Sequence, residues 1–535
     1  MTNIKNSCAI LQNVSMITPF IYVITIGFNN YPTGFYLFSQ TLKFAWRKTV
    51  MVGIRSYGAY IPRYRLNRIK IFEAMGWLNS ATIGLAKGEK AVANADEDSI
   101  TMAVAAGINC MGNIDRKKLD GVYFGSTSMP FQERQNAGII ATALGMKEDV
   151  RSIDFSGSLR SGTSALLAAI DAVGSGGSKN MLACAADCRL GKMGSPQEMI
   201  FGDAGASFMV SDEDVIAEFK GSYTLTCDFG DHVRGRYSKF DRQWEDRWIR
   251  DMGYGKMIPK AINGLLEKYK IKIDDFSQIV YSCHYGAERK KINKTLGIAP
   301  EKVQDILMNE IGEMGSAQSL VMLASALDSA SPGDKILVIS YGSGCDALYF
   351  EVTDKINDLK NIKGVAANLA DKAELSHYAK YLAWRQIIPI DTGIRGEEEL
   401  PSRWSFIWRS NRAALSFCGS RCTKCKTPQF PPQRVCVKPS CGAIDEMEEY
   451  NFSDKIAKIG SFTGDNLAAS MNPPQIYGNL FIEGGGKIMM NFTDCDLDSI
   501  KVGMPLRFTF RIKHIDERRD IVRYFWKAVP IKEEN

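Results

Sequence analysis

The 535-residue sequence is poor in histidine and contains no apolar run long enough to cross a bilayer. Its four histidines lie at positions 232, 284, 377 and 514, so any histidine chemistry must use one of them. The 13 cysteines are scattered and odd in number, which is not the pattern of a secreted disulfide framework. A net charge of +6 over this length does not indicate nucleic-acid binding. We therefore predict a cytoplasmic protein that binds neither membrane nor nucleic acid.

The first 50 residues differ from the rest of the sequence. An apolar stretch near positions 17–26 is too short and too interrupted to span a membrane, and it lacks a clear signal-peptide pattern. Met51 begins a segment through Pro62 that predicts the first strand and turn of a compact domain. Two hypotheses follow. Residues 1–50 are either a mis-called extension before a true start at Met51, or a leader that associates with a membrane.

Segments of the N-terminal part repeat at a constant offset. The strand around Val122 recurs around Ile279, and the small-residue helix that reaches Asp171 recurs at Asp328. Both pairs are 157 positions apart (279 − 122 and 328 − 171), which predicts a duplicated strand–helix–strand unit. Strands that alternate with helices favour a mostly parallel α/β sheet with helices on both faces.

The same offset relates positions that carry chemistry. It pairs Thr127 with His284, each just beyond an apolar strand, and Leu159 with Ser316, each at the start of a small-residue helix. These strand ends and helix starts are predicted to converge where the two halves meet.

Residues 52–352 resemble the group of condensing enzymes that contains hydroxymethylglutaryl-CoA synthase and ketoacyl synthase III. Segments 91–102, 125–130, 154–163, 202–206 and 340–344 carry the similarity. The resemblance implies a thiolase fold of two duplicated βαβ halves in α-β-α-β-α layers, here residues 51–215 and 216–355. It further implies an acyl-CoA substrate, a homodimer, and an active site between the halves.

Two of the three catalytic groups of this family are replaced in the sequence. The family uses a cysteine nucleophile, a glutamate that moves a proton and a histidine on the oxyanion side. His284 matches the histidine. Leu159 stands where the cysteine is expected, and Thr127 stands where the glutamate is expected. The usual acyl-cysteine route is therefore in question.

Two other residues and one turn are candidates for the altered site. Ser158 is either a substitute nucleophile or a helix N-cap. Glu313 lies near the position that ketoacyl synthases fill with asparagine, and is either a base or a helix-start carboxylate. The turn formed by Gly342, Ser343 and Gly344 is predicted to contact the CoA thioester.

The C-terminal part begins with a linker over residues 356–415, which includes a predicted docking helix within 371–386. A zinc ribbon is predicted over 416–445. Cys422 and Cys425 are separated by two residues, and Cys436 and Cys441 by four. Four thiolates in a reducing compartment suit a structural Zn²⁺ site, since they leave no open coordination position.

Residues 446–535 are predicted to form a small β-barrel of the OB type. Strand signals at 454–463, 475–483, 486–492 and 506–513 are separated by turns. A ribbon followed by such a barrel resembles the domain of unknown function 35 family, whose members accompany thiolase-like proteins. The resemblance implies that this part holds CoA, seals the substrate tunnel or bridges to a partner.

Three functions remain open from the sequence. The first is an acyltransferase or condensing enzyme that makes or breaks a carbon–carbon bond next to a thioester. The second is a catalytically altered acyl-CoA-binding scaffold that associates with an active thiolase. The third is a related reaction that needs no acyl-enzyme.

Overall fold

The computed structural model describes residues 51–359, 362–394 and 403–531, so both hypotheses about residues 1–50 lie outside the described residues. The strands of the first part are β1 (Gly53–Tyr60), β2 (Tyr64–Asn67), β3 (Glu89–Val92), β4 (Gly121–Gly125), β5 (Arg151–Phe155), β6 (Asn180–Asp187), β7 (Ala204–Ser211), β8 (Ala217–Thr226), β9 (His232–Val233), β10 (Arg242–Gln243), β11 (Gln278–Tyr281), β12 (Lys335–Tyr341), β13 (Gly344–Val352) and β14 (Ala373–Glu374). Its α-helices are α1 (Arg68–Met75), α2 (Ser99–Met111), α3 (Asn136–Ala143), α4 (Ser161–Gly174), α5 (Pro196–Ile200), α6 (Asp246–Trp248), α7 (Gly255–Tyr269), α8 (Gly286–Leu296), α9 (Gln318–Leu327), α10 (Val365–Ala370) and α11 (Tyr378–Trp384).

A nine-stranded sheet organises the first part, in the order β11-β12-β13-β8-β1-β7-β6-β4-β5. Helices α4 and α9 begin at Ser161 and Gln318, 157 positions apart (318 − 161), as the repeat predicts. Helix α9 contacts β1 and β7 on one side and β11 and β12 on the other, whereas α2 and α7 pack against the outer faces of the two halves. The arrangement is therefore layered, with the small-residue helices at its centre.

The sheet is mixed, which corrects the expectation of a mostly parallel one. Among the described strands, three neighbouring pairs are parallel (β4–β5, β4–β6 and β11–β12), and the other five are antiparallel. The reason is visible between β12 and β13, where Tyr341 lies opposite Cys345 across a tight turn. A turn this short joins antiparallel strands, because parallel strands need a longer crossover.

The linker contains a shorter helix than the sequence predicts. Ala373 and Glu374 form strand β14 and pair with Tyr64 and Arg65, so they are not helical. Helix α11 then buries Tyr381, Leu382 and Trp384 against the first part. No helix within the described ranges combines the length and apolar character that crossing a bilayer requires.

The C-terminal part is a small three-stranded sheet followed by a five-stranded one. Its elements are α12 (Trp404–Arg409), α13 (Asn411–Ser416), β15 (Cys418–Cys422), β16 (Pro428–Gln429), β17 (Met447–Asn451), β18 (Ala457–Asp465), β19 (Gln475–Ile482), β20 (Lys487–Asn491), β21 (Pro505–Asp516) and β22 (Ile521–Pro530). Strand β22 adds to the four strands that the sequence predicts. The second sheet runs β20-β19-β18-β21-β22, and a bridge from Phe492 to Ala528 joins its two ends. The five strands therefore enclose a common apolar interior.

Candidate active site and cysteine cluster

The candidate site forms where the two halves of the first part approach most closely. Helices α4 and α9 start almost in contact there. A side-chain carbon added at Gly162 would lie 2.3 Å from the carbonyl oxygen of Ser316, and one at Gly125 would lie 2.5 Å from that of Ser161. These distances are far below normal contact, so glycine at position 162 lets the two halves meet, and glycine at position 125 lets β4 pack against the start of α4.

Positions from the two offset pairs come together at this point, each with a member of the other pair. Leu159 from the first half and His284 from the second half line one cavity of about 40 Å³. Outside this cavity, Thr127 donates a hydrogen bond from its Oγ1 to Asp187 (2.9 Å), and the backbone N–H of Ser316 donates to the same carboxylate (2.7 Å). Glu313 also lines the cavity, whereas Ser158 and Thr127 are not among its lining residues.

His284 occupies the cavity as a neutral imidazole. Burial, helped by the nearby Arg189 guanidinium, lowers its pKa from 6.5 to about 4, against the carboxylates of Asp246 and Asp231, which raise it. The ring packs beside Tyr254 and Tyr285, with ring centroids 5.6 and 4.1 Å away. No described residue hydrogen-bonds to its ring nitrogens. A neutral imidazole at this point can donate one N–H to a carbonyl oxygen in the cavity.

Glu313 is held in a buried ion pair. Its Oε2 accepts a hydrogen bond from Arg189 (2.6 Å), and its Oε1 accepts one from the backbone N–H of Gly315 (3.0 Å). Arg189 also binds Asp241 at 2.6 Å, and Asp241 in turn binds Arg234 at 2.8 Å. Sequence patterns did not point to Arg189 or Asp241, because neither belongs to a recognisable motif.

Asp187, which is fully buried at the end of β6, organises the loop after β4. One of its oxygens accepts hydrogen bonds from the hydroxyls of Ser126 and Ser128 and the backbone of Thr127 and Ser128, at 2.7–2.9 Å. Thr127 and Ser316 bind its other oxygen. The hydroxyl of Thr127, at the position expected for the family glutamate, is thus committed to Asp187.

Ser158 is tied to the predicted CoA-binding turn. Its hydroxyl donates to the carbonyl oxygen of Gly342 (2.6 Å) and accepts a long hydrogen bond from the backbone N–H of Arg160 (3.4 Å). Ser343 has a positive φ of 47° in this turn, and its carbonyl accepts from Cys227. Gly342, Ser343 and Gly344 therefore support the loop that carries Leu159, and none of the three lines the cavity.

The four cysteines predicted as ligands converge in the C-terminal part. The sulfur atoms of Cys422, Cys425, Cys436 and Cys441 all lie within 4.8 Å of one another. The Cys422–Cys441 and Cys425–Cys436 distances are 3.8 and 3.4 Å. A tetrahedral zinc with Zn–S bonds of about 2.3 Å needs sulfurs about 3.8 Å apart, so this donor set fits the ion. Cys418 lies on β15, outside the group.

Backbone turns bring these sulfurs together. Lys426 and Gly442, each directly after a ligand pair, have positive φ angles of 59° and 54°. The wider spacing of the second pair is closed by a turn in which the N–H of Cys441 donates to the carbonyl of Lys438 (2.9 Å). Both pairs therefore present their thiols to a common centre despite their different spacing.

A buried ionic joint connects the barrel to the first part. Arg511 of β21 is only 1% exposed and binds Asp494 (2.6 Å), Glu97 (3.0 Å) and the hydroxyl of Tyr60 (2.9 Å). Lys527 of β22 binds Asp96 at 2.7 Å. Asp96 and Glu97 lie just before Asp98, the N-cap of α2, so this acidic segment of the first part pairs with two cations of the barrel.

A second, larger cavity lies next to this joint. It measures about 1440 Å³ and lies between residues 94–96, residues 383–392 of the linker and the barrel. Six acidic side chains line it (Asp96, Asp494, Asp496, Asp498, Asp516 and Glu517) against four basic ones (Lys513, Arg518, Arg519 and Lys527). Carboxylates outnumber the arginines and lysines in this lining, and a CoA-holding role for the barrel stays a prediction.

Curated relatives match the first part over nearly their whole length. The hydroxymethylglutaryl-CoA synthase of Methanopyrus kandleri is 36% identical over 315 residues, which cover 58% of this chain and 90% of that protein. The enzyme of the same name from Pyrococcus furiosus is 33% identical over 342 residues, which cover 63% and 96%. The chain belongs to the hydroxymethylglutaryl-CoA synthase family. No protein-family model matches the chain.

Solved structures agree with the fold of this family. A hydroxymethylglutaryl-CoA synthase complexed with CoA superposes with a TM-score of 0.58 at 20% identity, over 66% of this chain and 95% of that one. A 3-oxoacyl-(acyl-carrier-protein) synthase III gives 0.50 at 16% identity, over 56% and 99%. The thiolase-type fold of the first part is confirmed. The relation of the C-terminal part to the domain of unknown function 35 family stays a prediction.

Proposed function

We propose that the protein handles an acyl-CoA thioester in the cavity of Leu159, His284 and Glu313, and catalyses condensing-enzyme chemistry without an acyl-cysteine. One observation carries this proposal. A neutral histidine faces the cavity from the end of β11, while the residue opposite it is a leucine, which has no nucleophilic atom. Family membership supports the substrate class, since the relatives are named as CoA-thioester synthases.

In this proposal, His284 and Glu313 have separate roles in removing a proton next to the thioester. The N–H of His284 donates to the thioester oxygen and stabilises the negative charge that develops when the neighbouring carbon loses a proton. Glu313 is one of three carboxylates that line the cavity, and in this proposal it accepts that proton. Ser158 is the alternative nucleophile, but its hydroxyl already donates to Gly342, and His284 does not accept from it. This contact favours a route without a covalent intermediate.

The C-terminal part has a structural role in this proposal. Cys422, Cys425, Cys436 and Cys441 hold a Zn²⁺ ion, and the metal contributes folding energy to the ribbon. The strand order of the barrel, with its closing bridge between Phe492 and Ala528, supports the OB assignment. Edge strand β5, with Ile153 exposed and no described strand on its outer side, is available for the homodimer that the family resemblance implies.

An acyl-CoA-binding scaffold for an active thiolase is the second candidate function. The size of the cavity favours it. At about 40 Å³, the cavity has room for only about three water molecules, since each needs about 10–15 Å³. A site this small, without a nucleophile, suits a protein that has lost turnover and kept its fold and partners.

Exchange of the acyl α-hydrogens in deuterated water separates these functions. The full chain is incubated with acetyl-CoA or acetoacetyl-CoA, and deuterium uptake is followed by NMR together with covalent labelling. We expect exchange above background without a label, lost in His284→Ala and kept in the control His377→Ala, whose histidine is exposed on the linker. A label lost in Ser158→Ala would instead establish an acyl-serine. No exchange, with co-purification of an active thiolase, would establish the scaffold.

Zinc is tested separately by metal analysis of the purified chain. We expect one zinc per chain and its loss in Cys436→Ser, while Cys418→Ser keeps it. A chain that folds identically without zinc would contradict the assignment.

A further inference from the structure

The charges around the candidate cavity are already paired among themselves. Arg189 is the one arginine or lysine among the described residues that line it, and its side chain is 4% exposed. Its guanidinium is shared between Asp241 and Glu313, both at 2.6 Å. No lining arginine or lysine is therefore left without a carboxylate.

The remaining titratable groups do not supply a further positive charge for a ligand. His284 is neutral, because burial lowers its pKa to about 4. Burial raises the pKa of Asp231, but hydrogen bonds from His232 outweigh this and keep that pKa below its usual value. His232 is held by Asp231 at 2.8 Å. Asp231 is thus a third carboxylate at the cavity, and it already occupies the second histidine.

From this arrangement we infer that the cavity accepts an uncharged acyl group and rejects an acyl group that carries a free carboxylate. The inference rests on the proposed function and specifies its substrate class. A carboxylate brought into the cavity would lose its water without gaining a cation, and it would face Asp231, Asp241 and Glu313. A hydroxymethylglutaryl thioester carries such a carboxylate and belongs to the rejected class.

Two thioesters of nearly equal shape test this inference. Acetoacetyl-CoA and malonyl-CoA differ mainly in a terminal methyl ketone against a carboxylate. Their affinities for the full chain are measured by calorimetry at pH 7. We expect acetoacetyl-CoA to bind at least about tenfold more tightly, since like charges placed together oppose binding strongly. Equal binding, or tighter binding of malonyl-CoA, would overturn the inference and leave the proposed function intact. If neither thioester binds, the proposed function fails, and the inference fails with it.

A single substitution then tests whether charge causes the preference for acetoacetyl-CoA. Glu313→Gln removes one of the two carboxylates that hold Arg189, so the guanidinium can turn to a ligand. We expect malonyl-CoA binding to tighten and the preference to narrow. Glu310→Gln is the matched control, because Glu310 is exposed three residues away and does not line the cavity. A preference that stays unchanged in a folded Glu313→Gln variant counts against charge as the cause. Thermal unfolding establishes whether the variant folds. If the variant does not fold, the ratio of acetoacetyl-CoA to malonyl-CoA affinity in the wild type decides the proposal.

Discussion

Two buried arginines, Arg189 at the candidate cavity and Arg511 at the ionic joint, have similar surroundings and different consequences. Each is almost inaccessible to solvent and lies among several carboxylates. At the joint, the cations Arg511 and Lys527 both come from the barrel, and Asp96 and Glu97 come from the first part. Apart from Asp494, a barrel carboxylate that also binds Arg511, charges of opposite sign are thus divided between two parts of the chain.

At the cavity, the charges are not divided in this way. Arg189 and Asp241 both belong to the first part of the chain and pair over 52 positions, and Glu313 completes the set from beside α9. The cluster is neutralised before any ligand arrives. A buried arginine among carboxylates is therefore not by itself a binding site. The source of the opposite charge decides the role of such a cluster. A carboxylate from another part of the chain makes it a joint, a carboxylate from a ligand makes it a binding site, and carboxylates of the same part leave no cation for an anionic ligand.

The largest effect is expected from breaking the joint. Arg511→Met leaves Glu97 and Asp494 buried without their main cation, which typically costs about 3–5 kcal/mol of the free energy of unfolding. Chemical denaturation of the full chain measures this. Arg507→Met on the same strand is the control, since Arg507 is exposed and its loss should change stability by less than about 0.5 kcal/mol. Equal effects of the two variants would contradict a structural joint.

The next effect is a pH dependence of the same joint. Burial raises the pKa of Glu97 from 4.5 to about 7, against the lowering effect of Arg511. The folded state therefore holds a proton that the unfolded state releases at lower pH. Its stabilising effect is fully present below pH 4.5 and is lost as the pH rises through 7. This rise in pKa corresponds to about 3 kcal/mol.

Unfolding of the wild type and Glu97→Gln across this pH range checks the prediction. The glutamine variant, which cannot ionise, should not lose this contribution, so the stability difference between the two proteins should change between pH 4.5 and 7. Parallel pH profiles would show that Glu97 titrates normally.

A smaller effect is expected at the cavity. Arg189→Met should lower the free energy of unfolding by about 1–3 kcal/mol, the usual cost of unpaired buried acceptors. The loss should be below that of Arg511→Met because Asp241 keeps Arg234 and Glu313 keeps the N–H of Gly315. Arg242→Met, at an exposed neighbouring position, is the control for denaturation. A loss of stability in Arg189→Met that is larger than the loss in Arg511→Met would contradict this ranking.

The smallest change in stability is expected from Leu159→Cys, which alters the chemistry of the cavity and leaves its charges intact. Replacing a half-buried leucine should cost about 1 kcal/mol. The new thiol lies in the same cavity as His284, a neutral base, and should become labelled by radioactive acetyl-CoA. Leu159→Ala should remain unlabelled. A folded cysteine variant that takes no label would indicate that the cavity does not admit the thioester.

Sequence repetition predicted more of the fold than local pattern did. The 157-residue offset correctly places the starts of α4 and α9 and the convergence of Leu159 with His284. It did not predict the mixed sheet, because strand direction depends on the connections between strands, such as the turn before β13. The fifth barrel strand was likewise missed, although its bridge through Ala528 closes the barrel.

The cysteine cluster and the candidate cavity mark the limits of the sequence. The convergence of the four cysteines is predictable from sequence, because they lie within 20 positions and short turns bring their sulfurs together. The sequence alone also predicts that Leu159 stands in place of the family cysteine, and this stays a prediction. The sharing of Arg189 by Asp241 and Glu313, which lie 52 and 124 positions away, is visible only in the folded chain. The physical reason is that buried charges pair with whatever the packing of separate strands and helices brings within reach, and no local pattern encodes that choice.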